Sequence, residues 1–153
     1  TGEEAYTLAM IMQDYFGPKK PLWDTRVLAT DISSKVLDAA KKGEYRNKDI
    51  KSLPLNWRIN YFTKIDKEKS MVVDKIKNEV IFRSFNLMNP SFPFKNKFHV
   101  IFCRNVMIYF DQKTKKELVD RFYHFIESGG YLFIGHSETL KFKYIMAAIY
   151  RKE

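Results

Sequence analysis

The sequence contains a single cysteine, Cys103, which lies inside an apolar stretch. One thiol closes no disulfide within the chain and supplies no cysteine cluster for a metal, so we expect neither kind of site. No apolar run approaches the roughly 20 residues of a membrane span, and no signal peptide opens the chain. We therefore expect a cytoplasmic protein without membrane insertion, in which Cys103 is a small core residue.

Three further features are missing: an internal repeat, a low-complexity segment and a Gly-x-Ser-x-Gly turn. A serine hydrolase of the α/β type carries its nucleophile on that strained turn. The group His136-Ser137-Glu138 follows a predicted strand, but without the turn it does not indicate a Ser-His-Asp hydrolase.

The composition supports one packed domain with a basic surface. The chain has 153 residues, of which 45% are hydrophobic and 16% aromatic, enough apolar material for a single core. Its formal charge is +9, from 27 Lys and Arg against 18 Asp and Glu. The lysines are scattered and form no aromatic-interleaved stripe, which favours an acidic partner other than nucleic acid.

Apolar residues at the start of the chain recur with the spacing of a helix. Tyr6, Ala9, Met10 and Tyr15 gather on one side, and Gly17-Pro18 is typical of a helix end. This first helix measures about four turns.

A short buried strand over residues 26–32 comes next, with Asp31 near its end. Ser33 or Ser34 caps the helix that follows, and Gly43 ends that helix. From Asn47 to about Glu79 the pattern loosens into short segments bounded by polar turns, which predicts a small antiparallel addition that includes 57–62 and 71–73.

The remainder of the chain alternates strands with a helix. We predict strands over 80–85, 98–103 and 131–135, a helix over 112–126 that ends at Gly129-Gly130, and an edge strand in 144–150.

Alternating strands and helices predict an α/β fold, with a doubly wound, mostly parallel sheet that has helices on both faces. Right-handed crossovers place the strand ends after Asp31, Asn86 and Asn105 at the same edge of that sheet. Open parallel sheets bind their ligands at this edge, so the sequence predicts a binding crevice there.

Several residues at the predicted edge suit a nucleotide-like ligand, although each also has an ordinary structural role. Thr1 and Glu4 have the spacing of a capping box at a helix start, where anions also bind. Asp31 follows roughly 25 residues later, close to the offset of an acid that accepts ribose hydroxyls. Asn86-Leu87 offers an amide and an apolar face for an adenine, or is a plain strand exit.

Two more candidates follow the buried strand over 98–103. Asn105 either contributes to the crevice or caps a turn, and Tyr109 is either a binding residue or a half-buried aromatic whose hydroxyl reaches solvent.

Five blocks of the sequence together resemble one family, in the expected order and over nearly the whole chain. They are TGEEAYTLAM (1–10), VLATDI (27–32), Asn86-Leu87, IFCRNVMIYFD (101–111) and GGYLFIGHSE (129–138). The family is the chemotaxis receptor protein-glutamate O-methyltransferase family, of the CheR type. The resemblance implies a class I S-adenosylmethionine-dependent methyltransferase that methylates glutamates on the acidic, helical cytoplasmic region of chemoreceptors and releases S-adenosylhomocysteine.

The resemblance also implies residue roles. The cofactor-binding residues that it implies for this chain are Glu4, Asp31, Asn86, Leu87, Asn105 and Val106. In this interpretation Glu4 lies near the methionine end of the cofactor and Asp31 accepts the ribose hydroxyls. The pair 86–87 contacts the adenine, the pair 105–106 lies beside the sulfonium, and Tyr109 is the catalytic residue near the transferred methyl group. No metal is implied.

The chain departs from the family pattern at its start, which falls inside the first motif and leaves out the first strand and an arginine near the reaction centre. We therefore expect 1–153 to be a partial catalytic domain that by itself methylates poorly or not at all. The inserted β-subdomain, about 55–79, matches a receptor-docking element. It has no glycine between Lys64 and Asn78, which argues against a tether for a receptor C-terminal peptide. The loop at 140–142 is also shorter than in the family.

Two other functions remain open from the residues alone. One is a methyltransferase fold that binds its ligand as a sensor without turnover, in chemotaxis-type signalling. The other is a nucleic-acid methyltransferase, which the basic charge favours and the lack of an Asn-Pro-Pro-aromatic loop disfavours.

Overall fold

A computed structural model of the protein describes residues 1–135, 144–146 and 149–153. The chain forms two compact units, an N-terminal unit (Thr1–Asn86) and a C-terminal unit (Leu87–Glu153). The expectations for His136-Ser137-Glu138 and for the loop at 140–142 lie outside the described residues. Within the described residues, no helix is long and apolar enough to cross a membrane.

The N-terminal unit contains four helices and five strands among its described residues. They are α1 (Glu3–Phe16), β1 (Val27–Asp31), α2 (Ser34–Lys42), β2 (Glu44–Arg46), α3 (Leu55–Tyr61), β3 (Phe62–Lys64), β4 (Lys69–Val72), α4 (Asp74–Lys77) and β5 (Val80–Ser84), with a 3₁₀ segment at Gly17–Leu22.

Local signals in the sequence set the ends of α1 and α2, and both helices are confirmed. Gly17 ends α1 with φ +41°, and Gly43 ends α2 in the left-handed conformation with φ +66°, where a side chain would be strained. The hydroxyl oxygen of Ser33 accepts a hydrogen bond from the Val36 N–H at 3.3 Å. Ser33 rather than Ser34 is therefore the N-cap of α2.

Strands β1 and β5 pair in parallel, with a register that runs from Val27 opposite Val80 to Asp31 opposite Ser84. The Val27 N–H donates to the Glu79 carbonyl at 2.8 Å, and the Phe85 N–H donates to the Asp31 carbonyl at 3.1 Å. Alternate residues of a strand direct their backbone groups to the same side. The odd-numbered residues of β5 therefore face β1, and its even-numbered residues face the opposite edge.

The core of the N-terminal unit forms around Tyr6 of α1, which is only 2% exposed. Its hydroxyl donates to the Ala40 carbonyl at 2.8 Å, and its ring meets Phe82 of β5 edge-on at 5.6 Å between centroids. Met10, Val72 and Ile76 are fully buried in the same cluster. This cluster joins α1, α2, α4 and β5 through apolar contacts, and the buried hydroxyl of Tyr6 is satisfied.

Strands β3 and β4 of the loosely patterned middle segment pair with β2, which precedes that segment, in a three-stranded antiparallel sheet of order β2-β4-β3. We expected residues 57–62 among its short strands, but 57–61 form most of helix α3, and only Phe62 belongs to a strand, as the first residue of β3. The side chains of Trp57 and Tyr61 both donate hydrogen bonds to the Asp14 carboxylate of α1. Residues four apart lie about 6 Å from each other on one face of a helix, but about 13 Å apart along a strand. A single carboxylate that binds both side chains therefore favours α3 over a strand.

The C-terminal unit contains one α-helix and four strands among its described residues. They are β6 (Phe98–Cys103), α5 (Gln112–Phe125), β7 (Ile126–Ile134), β8 (Tyr144–Met146) and β9 (Ile149–Arg151), with a 3₁₀ turn at Met107–Tyr109. The sheet order is β6-β7-β9-β8, in which β6 and β7 are parallel and the other pairs are antiparallel. The expected edge strand at 144–150 is thus two short strands.

Helix α5 packs its apolar face on β7. Leu118 and Phe122 are buried with Ile126, and the Phe92 ring stacks on Phe125 at 5.6 Å. Asp111 caps the helix by accepting the Thr114 N–H at 2.8 Å, which lowers the pKa of its carboxyl group. The parallel pairs β1–β5 and β6–β7, with the small antiparallel sheet, confirm the α/β class.

Strand β7 begins five residues earlier than we predicted, and it passes through Gly129-Gly130. The Gly129 N–H donates to the Lys152 carbonyl at 2.9 Å, and the Lys152 N–H donates to the Gly130 carbonyl at 2.9 Å. A Cβ atom at Gly130 would lie 2.7 Å from the His99 carbonyl oxygen and 2.6 Å from Ile126 Cγ2. The glycine therefore permits a close approach of β6 to β7.

We expect Gly130→Ala to lower the free energy of unfolding by about 1–3 kcal/mol, because the added methyl group forces β6 and β7 apart. Urea unfolding of the chain followed by circular dichroism measures this. Ser128→Ala, an exposed change in the same strand, is the matched control and should shift the value by about 0.5 kcal/mol or less. Equal effects of the two substitutions would contradict this account.

Candidate functional site

Asp31 ends β1, and a local hydrogen bond holds its side chain. Its Oδ1 atom accepts the Ser33 N–H at 2.8 Å, which forms an Asx turn between β1 and α2. The side chain is half-buried, and among the described residues only Oδ1 has a hydrogen-bond partner. The carboxylate is thus oriented by the backbone, and Oδ2 is left to accept hydrogen bonds from a ligand.

Asn86 lies at the same edge of the β1–β5 pair as Asp31. Asp31 is opposite Ser84 in the register, and its carbonyl accepts the Phe85 N–H. Phe85 is buried and holds the strand end in place, whereas Asn86 is exposed directly after it. The structure therefore brings two of the predicted residues, Asp31 and Asn86, to one strand edge.

Glu4 lies on the first turn of α1. This turn is next to the C-terminal end of α2, whereas Asp31 is next to the N-terminal end of α2. A Cβ atom at Gly2 would be 3.0 Å from the Ala40 Cβ, and the Tyr45 hydroxyl donates to the Thr1 carbonyl at 3.1 Å. Ser33 and Ala40 are separated by about 10 Å along the helix. Glu4 is thus placed toward the opposite end of α2 from Asp31.

The expected capping box at the start of α1 is wrong. The N-cap is Gly2, with φ +93° and no side-chain hydrogen bond. The Thr1 hydroxyl instead donates to Glu3 Oε1 at 2.8 Å, so Thr1 is paired with the neighbouring acid. Glu4 is exposed on the helix surface and does not complete a box with Thr1.

In the C-terminal unit, a strained residue follows β6. Asn105 has φ +59° and is the one non-glycine residue with positive φ in the part of the chain that the structure describes. Asparagine tolerates this left-handed conformation better than most residues. The turn directs the chain into the 3₁₀ segment, where Met107 is fully buried. Backbone strain of this kind concentrates at functional sites.

The side chains of the turn that follows Asn105, which buried Met107 anchors, differ in their exposure to solvent. Val106 is half-buried and Tyr109 is 81% exposed, so the phenol is available to a ligand. Leu87, half-buried, begins the same unit. Four of the expected site residues thus belong to the C-terminal unit: Leu87, Asn105, Val106 and Tyr109. Their assignment, with that of Glu4, Asp31 and Asn86, stays a prediction.

The contact of Ser33 with Asp31 was not among the sequence-based predictions. Aspartate followed two residues later by serine is a common Asx-turn pattern and was the available signal. The left-handed conformation of Asn105 was not predicted either, and the one signal for it in the sequence was an asparagine placed directly after a buried strand. Among the described residues, no group of three or more His, Cys, Asp or Glu side chains is placed to hold a metal ion.

Known proteins resemble this chain over nearly its full length. A "Chemotaxis protein methyltransferase" of Borreliella burgdorferi is 42% identical and covers 99% of this chain and 55% of its own length. The protein of that name from Escherichia coli K12 is 38% identical, over 91% of this chain and 49% of its own. A "Probable chemotaxis protein methyltransferase" of Rhizobium etli is 37% identical, over 91% of this chain and 52% of its own length.

The chain spans about half the length of these curated relatives. The family described as "CheR methyltransferase, SAM binding domain" matches residues 1–150, a range that includes every residue placed above in the candidate site. Because this match covers nearly the whole chain, the chain belongs to the CheR methyltransferase family.

Proposed function

We propose that the chain is the cofactor-binding part of a protein-glutamate O-methyltransferase, which transfers a methyl group from S-adenosylmethionine to glutamate side chains of chemotaxis receptors. The family match over residues 1–150 carries this proposal. The names of the relatives support the chemotaxis role, and the oriented carboxylate of Asp31 supports cofactor binding.

The residues at the end of β1 fit the cofactor. Ribose presents two neighbouring hydroxyl donors, and a carboxylate at the end of a parallel strand is a suitable acceptor for them. Because the Ser33 N–H already holds Oδ1 of Asp31, the side chain loses little further freedom on binding. Asn86, exposed at the same edge, is proposed to hydrogen-bond the adenine, with Leu87 against its face.

The remaining cofactor contacts are proposed on the resemblance to the family. Glu4 is assigned to the methionine end, and Asn105 with Val106 to the region of the sulfonium. The left-handed backbone of Asn105 supports its assignment, because it exposes the side chain and turns the chain directly after β6. When bound, S-adenosylmethionine supplies an electrophilic methyl group.

The reaction needs no general base. A glutamate carboxylate has a reference pKa near 4.3, so it is ionised and nucleophilic at neutral pH. The protein contributes by positioning that carboxylate and by excluding water. We propose that the exposed phenol of Tyr109, on a turn anchored by buried Met107, donates a hydrogen bond to the substrate carboxylate.

The substrate is proposed to be the acidic, helical cytoplasmic region of a chemoreceptor, which places the protein in the cytoplasm. The net charge of +9 accelerates association with such a region and makes the rate sensitive to salt. The segment at about 55–79 is proposed to take part in docking. It forms α3, β3, β4 and α4, and with no glycine from Lys64 to Asn78 it is not expected to tether a receptor C-terminal peptide.

Transfer of a radiolabelled methyl group to receptor-containing membranes tests the proposed activity in the full-length gene product. We expect label on the receptor in a form that alkali releases, because methyl esters hydrolyse in base. Cofactor binding without any transfer would instead support a sensor. Alkali-stable label on nucleic acid would support a nucleic-acid methyltransferase.

Asp31→Asn should weaken binding of S-adenosylhomocysteine by about tenfold, because a neutral amide replaces a charged acceptor while its oxygen still accepts the Ser33 N–H. Isothermal titration calorimetry on the full-length gene product measures the affinity. Asp38→Asn, an exposed carboxylate on α2, is the control and should leave it unchanged. Equal affinities of the two variants would remove Asp31 from the cofactor site.

Tyr109→Phe should lower the turnover number by about fivefold and leave the affinity for S-adenosylhomocysteine unchanged, since a single hydrogen bond to the substrate contributes about 1 kcal/mol. Tyr123→Phe removes an exposed hydroxyl on α5 and serves as control. A normal turnover number in Tyr109→Phe would rule out the proposed role.

A further inference from the structure

A cleft of about 470 Å³ lies in the N-terminal unit and follows the outer edge of β5. Four consecutive residues of the strand line it, Val80 to Arg83. Side chains of a strand alternate between the two faces of a sheet, so four consecutive lining residues mean that the cleft runs along the backbone edge itself. This cleft, called the β5 cleft below, has no part in the proposed cofactor site.

The backbone of β5 offers hydrogen-bonding groups to this cleft. Its odd-numbered residues pair with β1, so the N–H and C=O groups of Val80 and Phe82 face outward. The Arg83 Nη1 donates to the Phe82 carbonyl at 3.0 Å, which agrees with that direction. Among the described residues, no hydrogen-bond partner is found for the N–H groups of Val80 and Phe82, and β5 is an edge strand of its sheet.

The charges around the β5 cleft are mostly positive. Lys41 of α2, Lys77 of α4 and Arg83 line it, against the single carboxylate of Asp74. Asp74 lies 3.9 Å from the Lys77 ammonium and is 87% exposed, whereas the Lys77 side chain is 21% exposed. Lys41 also pairs with Asp38 at 3.5 Å on the solvent side of α2.

Tyr6 is the remaining ionisable group that lines the cleft. Burial raises the pKa of its phenol to about 12, and the hydroxyl donates to the Ala40 carbonyl. The phenol is therefore uncharged at neutral pH and does not offset the three cations.

We propose that the β5 cleft binds an acidic protein segment in extended conformation, which adds to β5 as a further strand. The outward N–H groups of Val80 and Phe82 are two residues apart, the spacing at which an added strand forms its ladder. Carboxylates on alternate residues of that segment face the cations of the cleft. A compact anion would use the cations alone and leave the backbone groups of β5 unpaired.

Fluorescence anisotropy with a labelled eight-residue peptide of alternating Glu and Val tests this proposal on the unmodified chain. We expect saturable binding that weakens with added salt, and an affinity at least about tenfold lower for the matched Gln-Val peptide, since the cations then lose their partners. Equal affinities for the two peptides, or no binding of the Glu-Val peptide, would overturn the proposal.

Amide hydrogen exchange by NMR distinguishes an added strand from simple charge attraction. Binding of the Glu-Val peptide should slow exchange at Val80 and Phe82, whose N–H groups face the cleft. The N–H groups of Ile81 and Arg83 already pair with β1 and should change little. Unchanged exchange at Val80 and Phe82, or displacement of the peptide by inorganic phosphate beyond that by chloride at equal ionic strength, would indicate a small-anion site instead.

Two neighbouring lysines in the last turn of α2 provide a matched pair of variants. Lys41 lines the cleft and Lys42 does not, and both are exposed. Lys41→Glu should weaken binding of the Glu-Val peptide by about fivefold or more. Lys42→Glu should weaken that binding by less than about 2.5-fold. Circular dichroism confirms the folding of each variant, and equal effects of the two would count against the cleft.

Discussion

The parallel pairing of β1 with β5 is the constraint on which both proposed sites of the N-terminal unit depend. It places the Phe85 N–H on the Asp31 carbonyl, and so brings Asn86 beside the Asx turn of Asp31. The same register turns the backbone groups of Phe82 toward the outer edge. A slip of one residue would reverse every side chain of β5, expose Phe82 and shift Asn86 along the sheet relative to Asp31. The same ladder thus fixes the proposed cofactor site at the end of β1 and the proposed docking edge along β5.

The buried phenol of Tyr6 supports this ladder from the helical side. Its ring packs on Phe82, and its hydroxyl satisfies the Ala40 carbonyl near the end of α2. The left-handed turn at Gly43 leaves room for that hydroxyl, since a Cβ atom there would lie 3.3 Å from it. Replacing the phenol by a smaller apolar group would remove both a large buried surface and the only hydrogen bond that the side chain makes among the described contacts.

Much of the fold is predictable where local signals decide it. Ser33, Gly17 and Gly43 mark the ends of α1 and α2, and the placement of Asp31 and Asn86 at one strand edge follows from the alternation of elements. The exceptions depend on partners distant in sequence. Helix α3 forms because Asp14 holds Trp57 and Tyr61, and β7 starts early because Lys152 pairs with Gly129 and Gly130. In the site, the orientation of Asp31 by Ser33 and the strain at Asn105 depend on backbone geometry, which residue identity alone does not determine.

The cations along the outer edge of β5 have a consequence for solubility. An exposed strand edge is a template for aggregation, because a second copy of the same strand can pair with it. Two β5 strands brought edge to edge would place Lys41, Lys77 and Arg83 of one molecule against the same cations of the other. Like charges therefore protect the edge against self-association and leave it open to a strand of opposite charge.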